Sequence, residues 1–105
     1  MKRLLLTLAA VTTACVASPV LAADESALAK AKGCFACHTT DKKLVGPAYK
    51  DVAKKFEGDA KAADELVGRV LKGSSGVWGP VPMPPNTTVK EEEAKKLVAW
   101  ILSLK

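Results

Sequence analysis

Residues 23–105 read as an all-α domain of about four short helices. Apolar residues recur at spacings of three and four, most plainly at Leu97, Val98, Ile101 and Leu102, the period of a helix with one buried face. No segment alternates polar and apolar residues well enough to pair as a strand. The stretches between the periodic segments are rich in glycine and proline, which end helices.

Taken in order, the first helix runs towards Gly33, with Asp24 and Ser26 as cap candidates and Leu28 and Ala31 facing inward. A second covers residues 49–56, where Val52 and Phe56 share a face. A third covers residues 60–72, capped by Asp59 and stopped by Gly73, with Leu66, Val67, Val70 and Leu71 at helical spacing. The last helix carries the stripe from Leu97 to Leu102. Thr88 and Glu91 fit a capping box at its start, and Glu91–Lys95 and Glu92–Lys96 are favourable spacing-four pairs.

The chain opens differently. Met1-Lys2-Arg3 is followed by an apolar run from Leu4 to about Val16, then Ser18-Pro19-Val20-Leu21-Ala22-Ala23. A basic start, an apolar middle and a small-residue end make a signal peptide over residues 1–22. Cleavage is expected after Ala22, with Ala23 the next candidate, leaving a domain of residues 23–105. The apolar run is too short to anchor in a bilayer; the alternative is that it forms a first helix of the fold. Cys15 offers a second alternative, acylation, which would tether the protein to a membrane. The preceding Thr12-Thr13-Ala14 lacks the aliphatic residue such signals carry, so Cys15 is expected to leave with the leader.

Charge narrows the partners. There are 16 basic and 11 acidic residues, and Lys2 and Arg3 depart with the leader, so the remainder is mildly positive. No dense basic run with interleaved aromatics points to nucleic acid. A modest positive surface suits transient docking to an acidic protein, because charge steers encounter more than it fixes affinity. The same lysines also serve to solvate helix faces.

Export leaves two cysteines, Cys34 and Cys37. A disulfide between them would close a tiny loop and stabilise little. A domain this small builds only a marginal core and commonly needs a disulfide, metal or cofactor to hold it. Cys34-Phe35-Ala36-Cys37-His38 supplies the last of these: it is the pattern of covalent haem attachment. Two thiols spaced by two residues reach the two vinyl groups on one porphyrin edge as thioethers, and the histidine that follows gives an imidazole nitrogen to iron. The competing readings are weaker. A thioredoxin-type pair wants a βαβ setting, a zinc site wants more ligands than two thiolates and one histidine, and chance is the third.

His38 is the chain's only histidine, so a second histidine ligand is excluded. With Met1 gone, Met83 is the only methionine left. It stands in a stiff loop, Gly73-Ser74-Ser75-Gly76-Val77-Trp78-Gly79-Pro80-Val81-Pro82-Met83-Pro84-Pro85-Asn86, half of it glycine or proline. Prolines fix φ and favour extended backbone, which presents the thioether instead of packing it along a helix. Met83 is therefore the expected sixth ligand, with a lysine or Tyr49 as the remaining candidates. A soft thioether favours ferrous iron and raises the potential. With both axial positions filled, oxygen and substrates find no open site, which argues for electron transfer over enzymatic chemistry. Around these ligands, Pro47 can accept from the other His38 nitrogen. Arg69 offers a fork for a propionate, Trp78 one N–H, and Asn86 a donor to Met83 or a brace for its loop.

Three segments together carry a family resemblance: residues 33–38, Leu44-Val-Gly-Pro-Ala-Tyr-Lys-Asp-Val52, and Gly76-Val-Trp-Gly-Pro-Val-Pro-Met-Pro-Pro-Asn86. They resemble the bacterial cytochrome c-551, or cytochrome c8, family of small class I c-type cytochromes, and the likeness spans nearly all of residues 23–105. It implies a monomeric four-helix fold around one haem c, with the first and last helices crossing. It implies Cys34 and Cys37 thioethers, His38 and Met83 on iron, and Pro47 bonded to His38. It further implies Arg69 and Trp78 at a propionate and Asn86 as a loop donor near Met83. It implies a periplasmic carrier, fed by a donor such as the cytochrome bc1 complex and discharging to a terminal reductase, such as nitrite reductase, an oxidase or a peroxidase. The alternatives are a haem enzyme or gas sensor, which needs Met83 off the iron, and a thiol redox protein without haem.

Overall fold

The computed structural model describes residues 9–11 and 23–105. The leader, apart from residues 9–11, and Cys15 lie outside the described residues. Among the described residues four α-helices follow one another: α1 Ser26–Ala31, α2 Tyr49–Lys55, α3 Ala62–Lys72 and α4 Glu91–Ser103. No strand occurs among the described residues; one isolated antiparallel bridge joins Ser74 and Met83. No helix among them is long and apolar enough to cross a membrane.

α4 is the spine. It packs against α3, α2 and α1, and its Ala94, Leu97, Val98, Trp100 and Ile101 are buried. They join Ala29 from α1, Val52 from α2, and Leu66 and Val67 from α3 in one core. Leu97 is 1% exposed, so truncation leaves a hole that helices fixed on three sides cannot close. Leu97→Ala is expected to cost about 2–5 kcal/mol, read as a lower denaturant midpoint at unchanged slope.

Several local details differ from the sequence expectations. α1 stops at Ala31, with Lys32 as its C-cap, and buries Ala29 while Ala31 is exposed. No side chain caps its start; Asp24 accepts instead from the Ser26 N–H at 2.8 Å. α2 ends one residue early, at Lys55. α3 begins at residue 62 because Asp59 shapes a turn ahead of it, accepting from Lys61 N through its carboxylate and from Ala62 N through its carbonyl. A short 3₁₀ turn over Cys34–Ala36 was not anticipated.

The expected Thr88–Glu91 capping box does not form. Thr88 is turned to Asn86, whose Oδ1 accepts from both its N–H and its hydroxyl. The N-cap is Lys90, in extended conformation, and Glu93 three residues on accepts from the Lys90 N–H at 3.0 Å. Lysine has no acceptor, so only that half of a box can form. Glu91 pairs with Lys95 at 3.6 Å; no such pair joins Glu92 and Lys96 among the described residues.

Glu93 also meets Lys32 at 3.4 Å, tying α4 to the end of α1. The Lys90 N–H first, and Lys32 second, hold its carboxyl below the ordinary value of 4.5. A lowered folded-state pKa adds stability above the unfolded value and loses it as pH falls through the folded one. Glu93→Gln is therefore expected to lower the melting temperature modestly at pH 7. The gap to wild type should close on acidification below the usual carboxylate range, as a melting series across pH would show.

Candidate functional site

The end of α1 sets the floor of the site. Gly33 takes φ +76°, a left-handed turn that favours glycine, and swings the chain from α1 into the 3₁₀ turn carrying Cys34. The two sulfurs are half-buried and are not bonded to each other. Burial pushes the Cys34 thiol up, and burial together with Cys34 pushes the Tyr49 phenol up as well. The Cys34–Tyr49 wall of the site is therefore desolvated.

His38 is fixed from several sides. Its Nδ1 donates to the Pro47 carbonyl at 2.8 Å, which leaves Nε2 as the free lone pair. Its ring stacks on Tyr49 at 5.0 Å between centroids and 22° between planes. Tyr49 in turn meets Trp100 edge-on at 5.7 Å, so the orientation of His38 is anchored through α2 to the spine.

Met83 comes from the long loop. The Ser74 N–H donates to Met83 O at 2.9 Å and the Met83 N–H to Ser74 O at 2.8 Å, pinching the loop at its base. Gly73 makes this approach possible: φ is +84°, and a Cβ there would fall 2.7 Å from Met83 O. Asn86 holds the other end of the loop. Its N–H donates to Val70 O at 2.9 Å, and its Nδ2 donates to Lys32 O at 3.0 Å. Of the two roles open to Asn86, these bonds are those of a brace; among the described residues none of its hydrogen bonds goes to the Met83 sulfur.

Cys34, Cys37, His38 and Met83 all line one cavity of about 350 Å³, together with Arg69 and Trp78. Its floor includes core residues Val52, Leu66, Leu97 and Val98, so it opens straight onto the hydrophobic centre. Arg69 pairs with Glu65 one turn back along α3 through Nη2, while its Nη1 is buried with no hydrogen-bond partner among the described residues. A buried, unpaired guanidinium N–H is costly and calls for an anion. Trp78 is 37% exposed, and the Lys55 ammonium lies 5.0 Å from its ring centre.

These features fit a haem: a deep apolar slot, two thiols and an oriented imidazole at its wall, a thioether on a braced loop, and an unsatisfied cation for a carboxylate. They do not fit zinc, since no three His, Cys, Asp or Glu side chains gather as a metal set among the described residues. An all-α shell folded around such a slot is the architecture of a small c-type cytochrome.

The comparisons with known proteins agree. The family model for cytochrome c matches residues 22–105. Cytochrome c-551 of Stutzerimonas stutzeri is 53% identical over 105 residues, covering 100% of both chains. Cytochrome c-552 of Hydrogenobacter thermophilus is 60% identical over 78 residues, 74% of this chain and 79% of that one. The crystal structure of Nitrosomonas europaea cytochrome c552 superposes with a TM-score of 0.74 at 52% identity, over 75% of this chain and 98% of that one. The chain belongs to the cytochrome c family: it is a small haem protein that carries electrons, with one covalent haem c.

Proposed function

We propose that Cys34 and Cys37 hold the haem as thioethers, and that His38 Nε2 and the Met83 sulfur close both axial positions of its iron. The observation that supports this best is that the Pro47-oriented imidazole and the braced Met83 loop line the same cavity as the two thiols. Haem c bound there supplies a one-electron ferric–ferrous couple. The rest is done by the chain. The Pro47 carbonyl fixes which nitrogen of His38 faces the metal. The thioether of Met83 favours the ferrous form. Arg69 Nη1, buried and unpartnered among the described residues, would meet a propionate, with the Trp78 N–H as a second donor, so that a buried negative charge would be matched. Asn86 keeps the Met83 loop seated on α1 and α3. A rigid site with no open coordination position passes electrons with little rearrangement and performs no enzymatic chemistry of its own.

The cavity also reaches the surface. Val45 is 52% and Val81 60% exposed, yet both line it, as do Lys43 and Trp78. An apolar rim beside a lysine suits brief contact with an acidic redox partner, where steering matters more than lifetime. We assign residues 1–22 as a leader, cut after Ala22 or Ala23. The mature protein is then a monomer of the periplasm. Its donor is of the cytochrome bc1 type, and its acceptor a terminal reductase, such as nitrite reductase, or an oxidase. The test is voltammetry of the purified holoprotein with candidate partners. A reversible one-electron wave, and turnover of one reductase or oxidase that rises as salt is lowered, is the expected result. An irreversible wave, or no partner that oxidises the reduced protein, opposes it.

A further inference from the structure

We propose that Gly46 is a positioning residue for the His38 imidazole: the missing Cβ at position 46 sets where that ring can lie. The inference rests on the reading of His38 as an iron ligand. Most glycines that matter here have positive φ, but Gly46 does not. Its backbone is open to any residue, so conformational freedom does not explain it. Space does. A Cβ built on Gly46 would lie 2.5 Å from His38 Cε1, 2.9 Å from Nδ1 and 3.1 Å from Nε2. Ordinary carbon contacts lie at about 3.5–4.0 Å. The three nearest atoms it meets are thus one side of a single ring, including the nitrogen that faces the metal.

Neither partner can retreat cheaply. The Gly46 N–H donates to Cys37 O at 2.7 Å, and its carbonyl accepts from Leu44 at 3.1 Å. The ring is tied through Nδ1 to Pro47, the next residue, and rests on Tyr49. Residues 46 and 47 therefore act on one imidazole in two ways: Gly46, by lacking a Cβ, lets the ring lie close to the backbone, and Pro47 sets its rotation. A methyl at position 46 pushes the ring against that hydrogen bond and tilts Nε2.

The test compares holoprotein variants Gly46→Ala and Gly68→Ala. At Gly68 an added Cβ meets nothing within 4 Å, so Gly68→Ala controls for the loss of a glycine as such. Gly46→Ala is expected to shift the g values of the ferric electron paramagnetic resonance spectrum and to move the reduction potential, with Gly68→Ala unchanged in both. A Gly46→Ala spectrum and potential equal to wild type would overturn the proposal. Whatever the yield of that variant, proton NMR of reduced wild-type protein gives a second test. A nuclear Overhauser contact between Gly46 Hα and the His38 Hε1 proton is expected, and its absence overturns the proposal. In the same spectrum, His38 ring protons without the ring-current shift of an axial ligand would instead overturn the ligand reading, so the two failures are told apart.

Discussion

Met83→Ala is expected to open the iron on one side and to drop the reduction potential by on the order of 100 mV or more. The thioether is a soft donor that favours ferrous iron, and alanine offers nothing in its place. The loop itself should survive. Its base is held by backbone bonds between Ser74 and Met83, and its far end by Asn86, none of which needs the methionine side chain. The change is thus confined to the metal. A potentiometric titration followed by optical spectra would show the shift and the appearance of a species that takes an added ligand. An unchanged titration would remove Met83 from the ligand set and return attention to a lysine or Tyr49.

Replacing both cysteines, Cys34→Ala with Cys37→Ala, is expected to abolish covalent attachment and to cost on the order of 5 kcal/mol, a large share of the about 5–15 kcal/mol that holds a small domain folded. The reason lies in how the core is built. The cavity of about 350 Å³ reaches Leu66, Leu97 and Val98, so the space between α3 and α4 depends on what fills it. Small domains without disulfides lean on such a group. Haem staining of a denaturing gel and a melting curve read the two effects separately. Haem that stays with the denatured double variant would contradict the thioether assignment.

How much of this was legible in the sequence varies by residue for physical reasons. The α4 stripe was plain because Leu97, Val98 and Ile101 are large and periodic. The inner face of α1 is hard to choose between Ala31 and Ala29 because alanines give almost no contrast; the fold buries Ala29. Thr88 draws the start of α4 to itself in the sequence because threonine is a good cap in general. In the fold its hydroxyl is taken by Asn86, and a lysine stands at the cap instead. The three-residue turn over Cys34–Ala36 is too short to show a period.

The candidate site rests on different signals. Cys34, Cys37 and His38 come from a spacing rule, and Met83 from being the only methionine once the proposed leader is removed; all four line one cavity. The contact between Asn86 and Lys32 spans 54 residues, and nothing local announces it. The role of Gly46 was hidden too. The only available signal was a glycine between Val45 and Pro47, and its reason appears once His38 has folded back against it.

Both axial positions of the iron are proposed to be closed by the chain's own side chains, His38 and Met83. The most direct measurement is the absorption spectrum of the reduced native protein with and without carbon monoxide. Sharp haem c bands that carbon monoxide leaves unmoved at neutral pH are predicted. A spectrum that shifts promptly on adding the gas would show an open iron and contradict the reading of this protein as a carrier.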